Sequence, residues 1–182
     1  MNKILVVVDM QNDFISGSLG SAEAQNIVSN VKKKIDEYRS SGDSIIFTQD
    51  THYDNYLDTP EGKMLPIKHC IRLTDGWNIH QDLIESMNND EYLVIEKPTF
   101  GSINLMWELE YMIEDCAEED TELEFVGLCT DICVVSNVLL AKTYYPDLKI
   151  TVDANCCAGT TPEKHKAALE IMKSCQIEII NE

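Results

Sequence analysis

A thiol, a carboxylate and an ammonium group that meet in one place can carry out nucleophilic chemistry at a carbonyl. The thiolate attacks the carbonyl carbon, the carboxylate moves the proton, and the ammonium keeps two anions close without repulsion. Asp9, Lys97 and Cys133 supply those three groups. Asp9 follows an apolar run over residues 4–8, Lys97 a run over 92–95, and Cys133 a run over 123–126 through a Gly127-Leu128-Cys129-Thr130-Asp131-Ile132 turn. If these runs are parallel strands, all three residues stand beyond strand carboxyl ends, on the edge where open α/β sheets bind ligands. Thr130 or Asp131 then caps the next helix. Cys133 falls in the first turn of that helix, where unpaired backbone N–H groups and the helix dipole favour a thiolate and can hold an oxyanion. Singly, each residue has a plainer reading: a carboxylate capping a turn, a solvated lysine at a strand end, a cysteine packed on the sheet. Their shared address raises the odds for chemistry.

A second group lies in the irregular stretch over residues 50–78. A structureless loop of that length inside a compact domain is usually functional. Asp50 and His52, two residues apart, face one side of an extended segment. Glu61 and His69 further along complete a set of two histidines and two carboxylates, ligands that suit Zn²⁺, Fe²⁺ or Mn²⁺. His80 and His165 read as surface helix residues without a role. Gly17-Ser18-Leu19-Gly20 lacks the order of a phosphate loop and reads as a mobile lid. Cys156-Cys157 reads as two buried thiols, because adjacent cysteines bond only with strain.

The elements that must position these groups alternate. The runs over 4–8, 44–48, 92–95, 123–126, 148–152 and 177–180 are short and β-branched or apolar. Between them, helical spacing is clearest over 24–38, 105–116, 132–145 and 163–174, with a short helix near 81–87. Strand and helix in alternation predict an α/β fold: a single domain over 1–182 with a doubly wound, mainly parallel sheet and helices on both faces. Gly42 reads as a helix stop. The acid-rich stretch over 108–124 reads as a solvated helix end and loop.

Composition bounds the partners. The chain has 182 residues, 32 acids against 14 bases, and a net charge of −18. That excess disfavours nucleic acid and anionic membrane, both of which need clustered Lys and Arg. No segment has the length of a membrane span, and the early apolar run is too short for a signal peptide. A cytoplasmic location is expected. The seven cysteines are then thiols rather than a disulfide framework.

Three motifs in order carry a family resemblance. Asp9-Met10-Gln11-Asn12-Asp13-Phe14, Glu96-Lys97-Pro98-Thr99-Phe100-Gly101-Ser102 and Gly127-Leu128-Cys129-Thr130-Asp131-Ile132-Cys133-Val134 resemble the three motifs of the isochorismatase-like cysteine hydrolases. The resemblance covers nearly the whole chain. Asp50-Thr51-His52 and His69-Cys70 are most similar to the metal motifs of nicotinamidases. The resemblance implies Asp9, Lys97 and Cys133 as catalytic triad, and an oxyanion hole from the N–H groups of Cys129 and Cys133 beside a cis peptide between Leu128 and Cys129. It implies a metal shell of Asp50, His52, His69 and Glu61, with Asp58 the less favoured fourth ligand and Zn²⁺ the favoured ion. Many nicotinamidases carry an aromatic residue just before the His-Cys pair; here the run is Leu65-Pro66-Ile67-Lys68. Phe14 and Phe100 are the expected ring contacts. The implied reaction is hydrolysis of a small carboxamide, nicotinamide first, with a place in NAD salvage and a homo-oligomeric state. The alternatives are an amidohydrolase of carbamoyl or ureido compounds, and a non-enzymatic small-ligand-binding module in which the three groups do not converge.

Overall fold

Residues 4–8, Ile-Leu-Val-Val-Val, have no polar side chain to give to water, so the strand they form must be covered on both faces. The computed structural model describes residues 2–87, 90, 92–114 and 121–182. In it β1 (Asn2–Val8) is an inner strand. It pairs in parallel with β2 (Ser44–Asp50) on one side and β4 (Thr121–Leu128) on the other. β3 (Leu93–Lys97) extends the sheet beyond β2, and β5 (Lys149–Ala158) and β6 (Glu178–Ile180) extend it beyond β4. The order is β3-β2-β1-β4-β5-β6, all parallel. The expected α/β sheet is therefore present, and its topological switch lies between β1 and β4. That is where a crevice opens at strand carboxyl ends.

Alternate side chains of β1 feed two cores. Ile4, Val6 and Val8 pack with α5 (Ile103–Glu114), α6 (Val135–Tyr144) and α7 (Pro162–Ser174). Leu5 and Val7 pack with α1 (Asn12–Ile15), α2 (Ala22–Ser41) and α4 (Gln81–Ser86). Helix α2 starts at Ser21, whose hydroxyl accepts from the Ala24 N–H, and stops at Gly42 in the left-handed conformation, φ 75°. The sequence placed both the core face and the stop.

The loop over 50–78 is more ordered than its sequence suggested. It holds a 3₁₀ turn (Tyr56–Asp58) and a short helix α3 (Pro60–Met64). Thr59 caps α3 from outside and Pro60 opens it, the same Thr-Pro-Glu signal that starts α7 at Thr161 and Pro162. That signal was readable in the sequence. Cys116, the predicted end of the helix now seen as α5, lies outside the described residues.

Two charge readings are corrected. Glu124, expected in a solvated stretch, is a buried residue of β4. Lys34 of α2 bridges it at 2.8 Å and Asp153 at 2.9 Å, and the Tyr38 hydroxyl donates to it at 2.6 Å. An acid on the inner face of a strand needs such partners. His165 is half-buried rather than on the surface, with its ring Nδ1 hydrogen-bonded to Thr130 Oγ1 at 2.8 Å. His80 caps α4, its Nδ1 accepting from the Asp82 N–H at 3.4 Å.

Candidate active site

The carboxyl ends of β1, β3 and β4 deliver their three residues to one point. The Lys97 ammonium lies 2.6 Å from Asp9 Oδ2 and donates to Cys133 Sγ at 3.5 Å. It also donates to the Thr99 carbonyl at 3.2 Å. Asp9 is fully buried, Lys97 is 1% exposed and Cys133 is 5% exposed. The other Asp9 oxygen, Oδ1, accepts from the Thr48 hydroxyl at 2.7 Å. Asp9 itself sits at φ 48°, outside the usual region for a side-chain-bearing residue, as the chain turns off the strand. Gly127 of β4 abuts the end of β1, and a Cβ there would come within 2.1 Å of the Val8 carbonyl. Its φ of 119° excludes other residues as well.

Cys133 is not in the first turn of a regular helix, as expected. Residues Thr130–Val134 form a wider turn closed by an i→i+5 bond from the Val134 N–H to the Cys129 carbonyl at 3.1 Å. Wide turns of this kind recur at functional sites. The Leu128–Cys129 peptide is cis. Asp131 fastens the turn to the loop before α7, accepting from the Thr160 N–H at 2.7 Å and the Thr160 hydroxyl at 2.6 Å.

Nor does this environment favour a resting thiolate. Burial and the Asp9 anion push the Cys133 thiol well up, and the opposing pull of Lys97 is smaller. Asp9 is also raised, first by burial, against the pull of Lys97. Lys97 is raised: burial disfavours its charge, but Asp9 and Cys133 together outweigh that cost. The resting site is a buried Lys97–Asp9 pair beside a thiol held above its ordinary value, which differs from the helix-dipole thiolate anticipated from sequence.

The second cluster lies alongside. One ligand atom each from Asp50, His52 and His69 lies within 4.8 Å of the others. His52 Nε2 is 3.0 Å and His69 Nε2 is 3.5 Å from Asp50 Oδ2. Glu61 Oε1 is 3.7 Å from both imidazole nitrogens, while Asp58 is exposed on the 3₁₀ turn and is not part of the cluster. The donor set fits a divalent cation on two further observations. His69 Nδ1 donates to the Ile67 carbonyl at 2.9 Å, which leaves Nε2 as a lone pair facing the cluster. His52 Nε2 is buried without a hydrogen-bond partner of good geometry, an orphan that a cation at the shared point would satisfy. Asp50 is held well below the usual carboxylate range: burial opposes this, and the adjacent His52 and His69 rings together with the Lys97 charge outweigh it.

Residues that sequence reasoning passed over hold the two clusters together. Gln11 is fully buried in the segment after β1. Its amide nitrogen donates to the carbonyls of Asp50 and Trp77, both at 2.8 Å, and its amide oxygen accepts from the Asp50 N–H at 2.7 Å. Asp13 Oδ2 accepts from the Cys70 N–H at 2.7 Å, next to His69. Gly17 and Gly76 crowd the Asp13 carboxylate so closely that a Cβ on either would collide with it. The Gly17–Gly20 stretch is thus a tight turn pinned to Asp13 by the Ser18 N–H. Tyr56, fully buried, lays its ring 4.7 Å from His52 and 5.0 Å from His69. It is an aromatic neighbour that the Leu65-Pro66-Ile67-Lys68 run does not supply.

Both clusters open on one cavity of about 1050 Å³, lined among others by Phe14, Tyr56, Phe100, Cys129, Cys133 and His69. Phe14 packs on His69 at 5.5 Å, and Phe100 is half exposed at the cavity. The three groups of the first cluster do converge, as a non-enzymatic ligand-binding module would not require.

Fold and site define a doubly wound parallel-sheet protein with its polar cluster at the switch point. The chain belongs to the isochorismatase domain family, whose model matches residues 3–181. It is 26% identical to the nicotinamidase of Escherichia coli, over 94% of this chain and 90% of that one. The crystal structure of the nicotinamidase/pyrazinamidase PncA of Bacillus subtilis superposes with a TM-score of 0.84 at 26% identity, covering both chains fully. The pyrazinamidase of Pyrococcus horikoshii in complex with zinc gives 0.81 at 25% identity, again over both whole chains.

Proposed function

We propose that the protein hydrolyses nicotinamide, or a close carboxamide, to the acid and ammonia through a thioester on Cys133. The observation that carries this reading is the Lys97 ammonium, 2.6 Å from Asp9 and 3.5 Å from Cys133, on a cavity shared with the Asp50–His52–His69 cluster. The likeness to nicotinamidases supports it.

The chain's own groups suffice for the proton traffic. Asp9 takes the Cys133 proton as the sulfur bonds to the amide carbon, so the thiolate exists only when a carbonyl is there to receive it. The oxyanion forms against the backbone N–H groups of Cys129 and Cys133; one such donor is typically worth roughly 10²–10³ in rate. The protonated Asp9 gives its proton to the leaving nitrogen, and ammonia departs with the C–N bond. Asp9 then removes a proton from water as the oxygen attacks the thioester carbon. It returns that proton to Cys133 as the C–S bond breaks. Lys97 stays charged throughout and balances whichever of the two anions is present. A divalent cation held by Asp50, His52, Glu61 and His69 would supply an anchor for the ring nitrogen and so orient the amide. Phe14, Tyr56 and Phe100 would flank the ring.

Ammonia release from nicotinamide tests this, with Zn²⁺, Mn²⁺ or Fe²⁺ and then with chelator. We expect turnover that Cys133→Ala lowers by at least roughly 10³-fold and that chelation weakens mainly through KM. Full turnover in Cys133→Ala would end the covalent reading. A nicotinate product would place the enzyme in NAD salvage.

A further inference from the structure

The cavity is too large for a single-ring amide. At about 1050 Å³ it stands at the top of the range for pockets that enclose a drug-sized molecule, roughly 300–1,000 Å³. A pyridine carboxamide that reaches from the metal-ligand cluster to Cys133 would occupy a minor part of it. Leu19, Tyr53, Met64, Leu65 and Ile132 are among the apolar side chains that line it. Leu19 is half-buried against the α2 core, whereas Tyr53 and Met64 are 59% and 87% exposed and mark the mouth. Water left against such walls gains little and is displaced favourably by apolar atoms.

We propose that the preferred substrates are pyridine carboxamides carrying an apolar ring substituent. The inference rests on the carboxamide-hydrolase reading above and names the substrate class of that same site. Chemistry fixes the position of the substituent. On a pyridine-3-carboxamide only carbon 5 adjoins neither the ring nitrogen nor the carbon bearing the amide. A group there leaves both anchored ends free and is the one that can extend into the unfilled volume. The reaction is unchanged: water adds its hydroxyl to the acyl carbon, and ammonia leaves with the cleaved C–N bond.

The test compares kcat/KM for nicotinamide and 5-phenylnicotinamide on the full chain loaded with Zn²⁺. We expect the phenyl compound to be at least tenfold better. A value equal to or below that of nicotinamide overturns the proposal and leaves the carboxamide-hydrolase reading standing. Turnover of the phenyl compound alone supports it while removing nicotinamide as the substrate. Turnover of neither overturns both. Leu19→Trp and Met64→Trp fill the wall from opposite burial classes, and Met64 is exposed enough for its variant to fold. Each should lower the ratio of phenyl to unsubstituted kcat/KM at least fivefold. An unchanged ratio in both would show that the substituent does not use this wall.

Discussion

At the scale of single residues, the site is built so that the proposed nucleophile, Cys133, is silent until needed. An exposed thiolate near a helix N-terminus would react with any electrophile. Here burial and the Asp9 carboxylate hold the Cys133 thiol above its ordinary value, against the smaller pull of Lys97. The sign of the Asp9 contribution gives a test. Asp9→Asn removes an anion and leaves the Lys97 cation in place, so the Cys133 pKa should fall even though turnover collapses. Alkylation by iodoacetamide, followed on the peptide containing Cys133, should have a midpoint above that of a free thiol, about 8.5, in the native protein. In Asp9→Asn the midpoint should drop. An upward shift in the variant would mean that Asp9 does not face the sulfur as an anion. The three converging residues were legible in the sequence because each stands at or beyond a strand carboxyl end, a position that topology alone fixes. The protonation state was not legible, since it depends on how completely the neighbours exclude water.

At the scale of elements, the segment after β1 is a clamp between the sheet and the long loop. The His80 N–H donates to the Met10 carbonyl, the Asn12 N–H to that of Asn78 and the Asp13 N–H to that of Gly76, at 2.9–3.0 Å. Gln11 adds side-chain bonds to both backbone groups of Asp50. A loop this long would otherwise cost much ordering entropy, and its ligands would not stay convergent. Gln11→Glu keeps the shape and the acceptor for the Asp50 N–H but loses the donor to two carbonyls. We expect zinc affinity, read by titration against a chromophoric chelator, to fall by roughly 10–100-fold. The Cys133 alkylation profile should hold. Unchanged affinity would show that the loop keeps Asp50 in place unaided. Asp50, His52 and His69 were readable as a donor set, but Gln11, Asp13 and Tyr56 were not. The roles of Gln11 and Asp13 arise from contacts across 39 and 57 residues of chain, and that of Tyr56 from its packing on the rings of His52 and His69, which periodicity cannot report. The short helix at Thr59-Pro60 was missed for another reason: a cap followed by proline is a start signal, but five residues show no hydrophobic period.

At the scale of the whole molecule, the parallel sheet was legible because continuous β-branched runs separated by amphipathic helices admit few other folds. What the composition concealed was how some of its 32 acids are used inside. Glu124 and Asp153 lie on neighbouring strands under α2, with side chains 9% and 3% exposed, and Lys34 reaches both. Removing one partner from a buried ionic cluster leaves the others uncompensated, so Lys34→Met should cost about 3 kcal/mol or more. The pH dependence has a definite sign. The Lys34 ammonium is raised above its ordinary value: burial disfavours it, but the hydrogen bonds and charges of Glu124 and Asp153 outweigh that penalty. A lysine whose folded pKa is raised contributes its full stability below the unfolded value, near 10.4. It loses that contribution as pH climbs through the folded value. The Tyr38 phenol, raised by burial and by its bond to Glu124, acts in the same direction. The native protein should therefore hold a constant lead in Tm over Lys34→Met from neutral pH to about pH 10, and the lead should shrink above it. Thermal melts across that range decide the matter. A gap that stays constant through alkaline pH would mean that the helix is held to the sheet by packing alone, and that Lys34 is not the cation these two buried acids depend on.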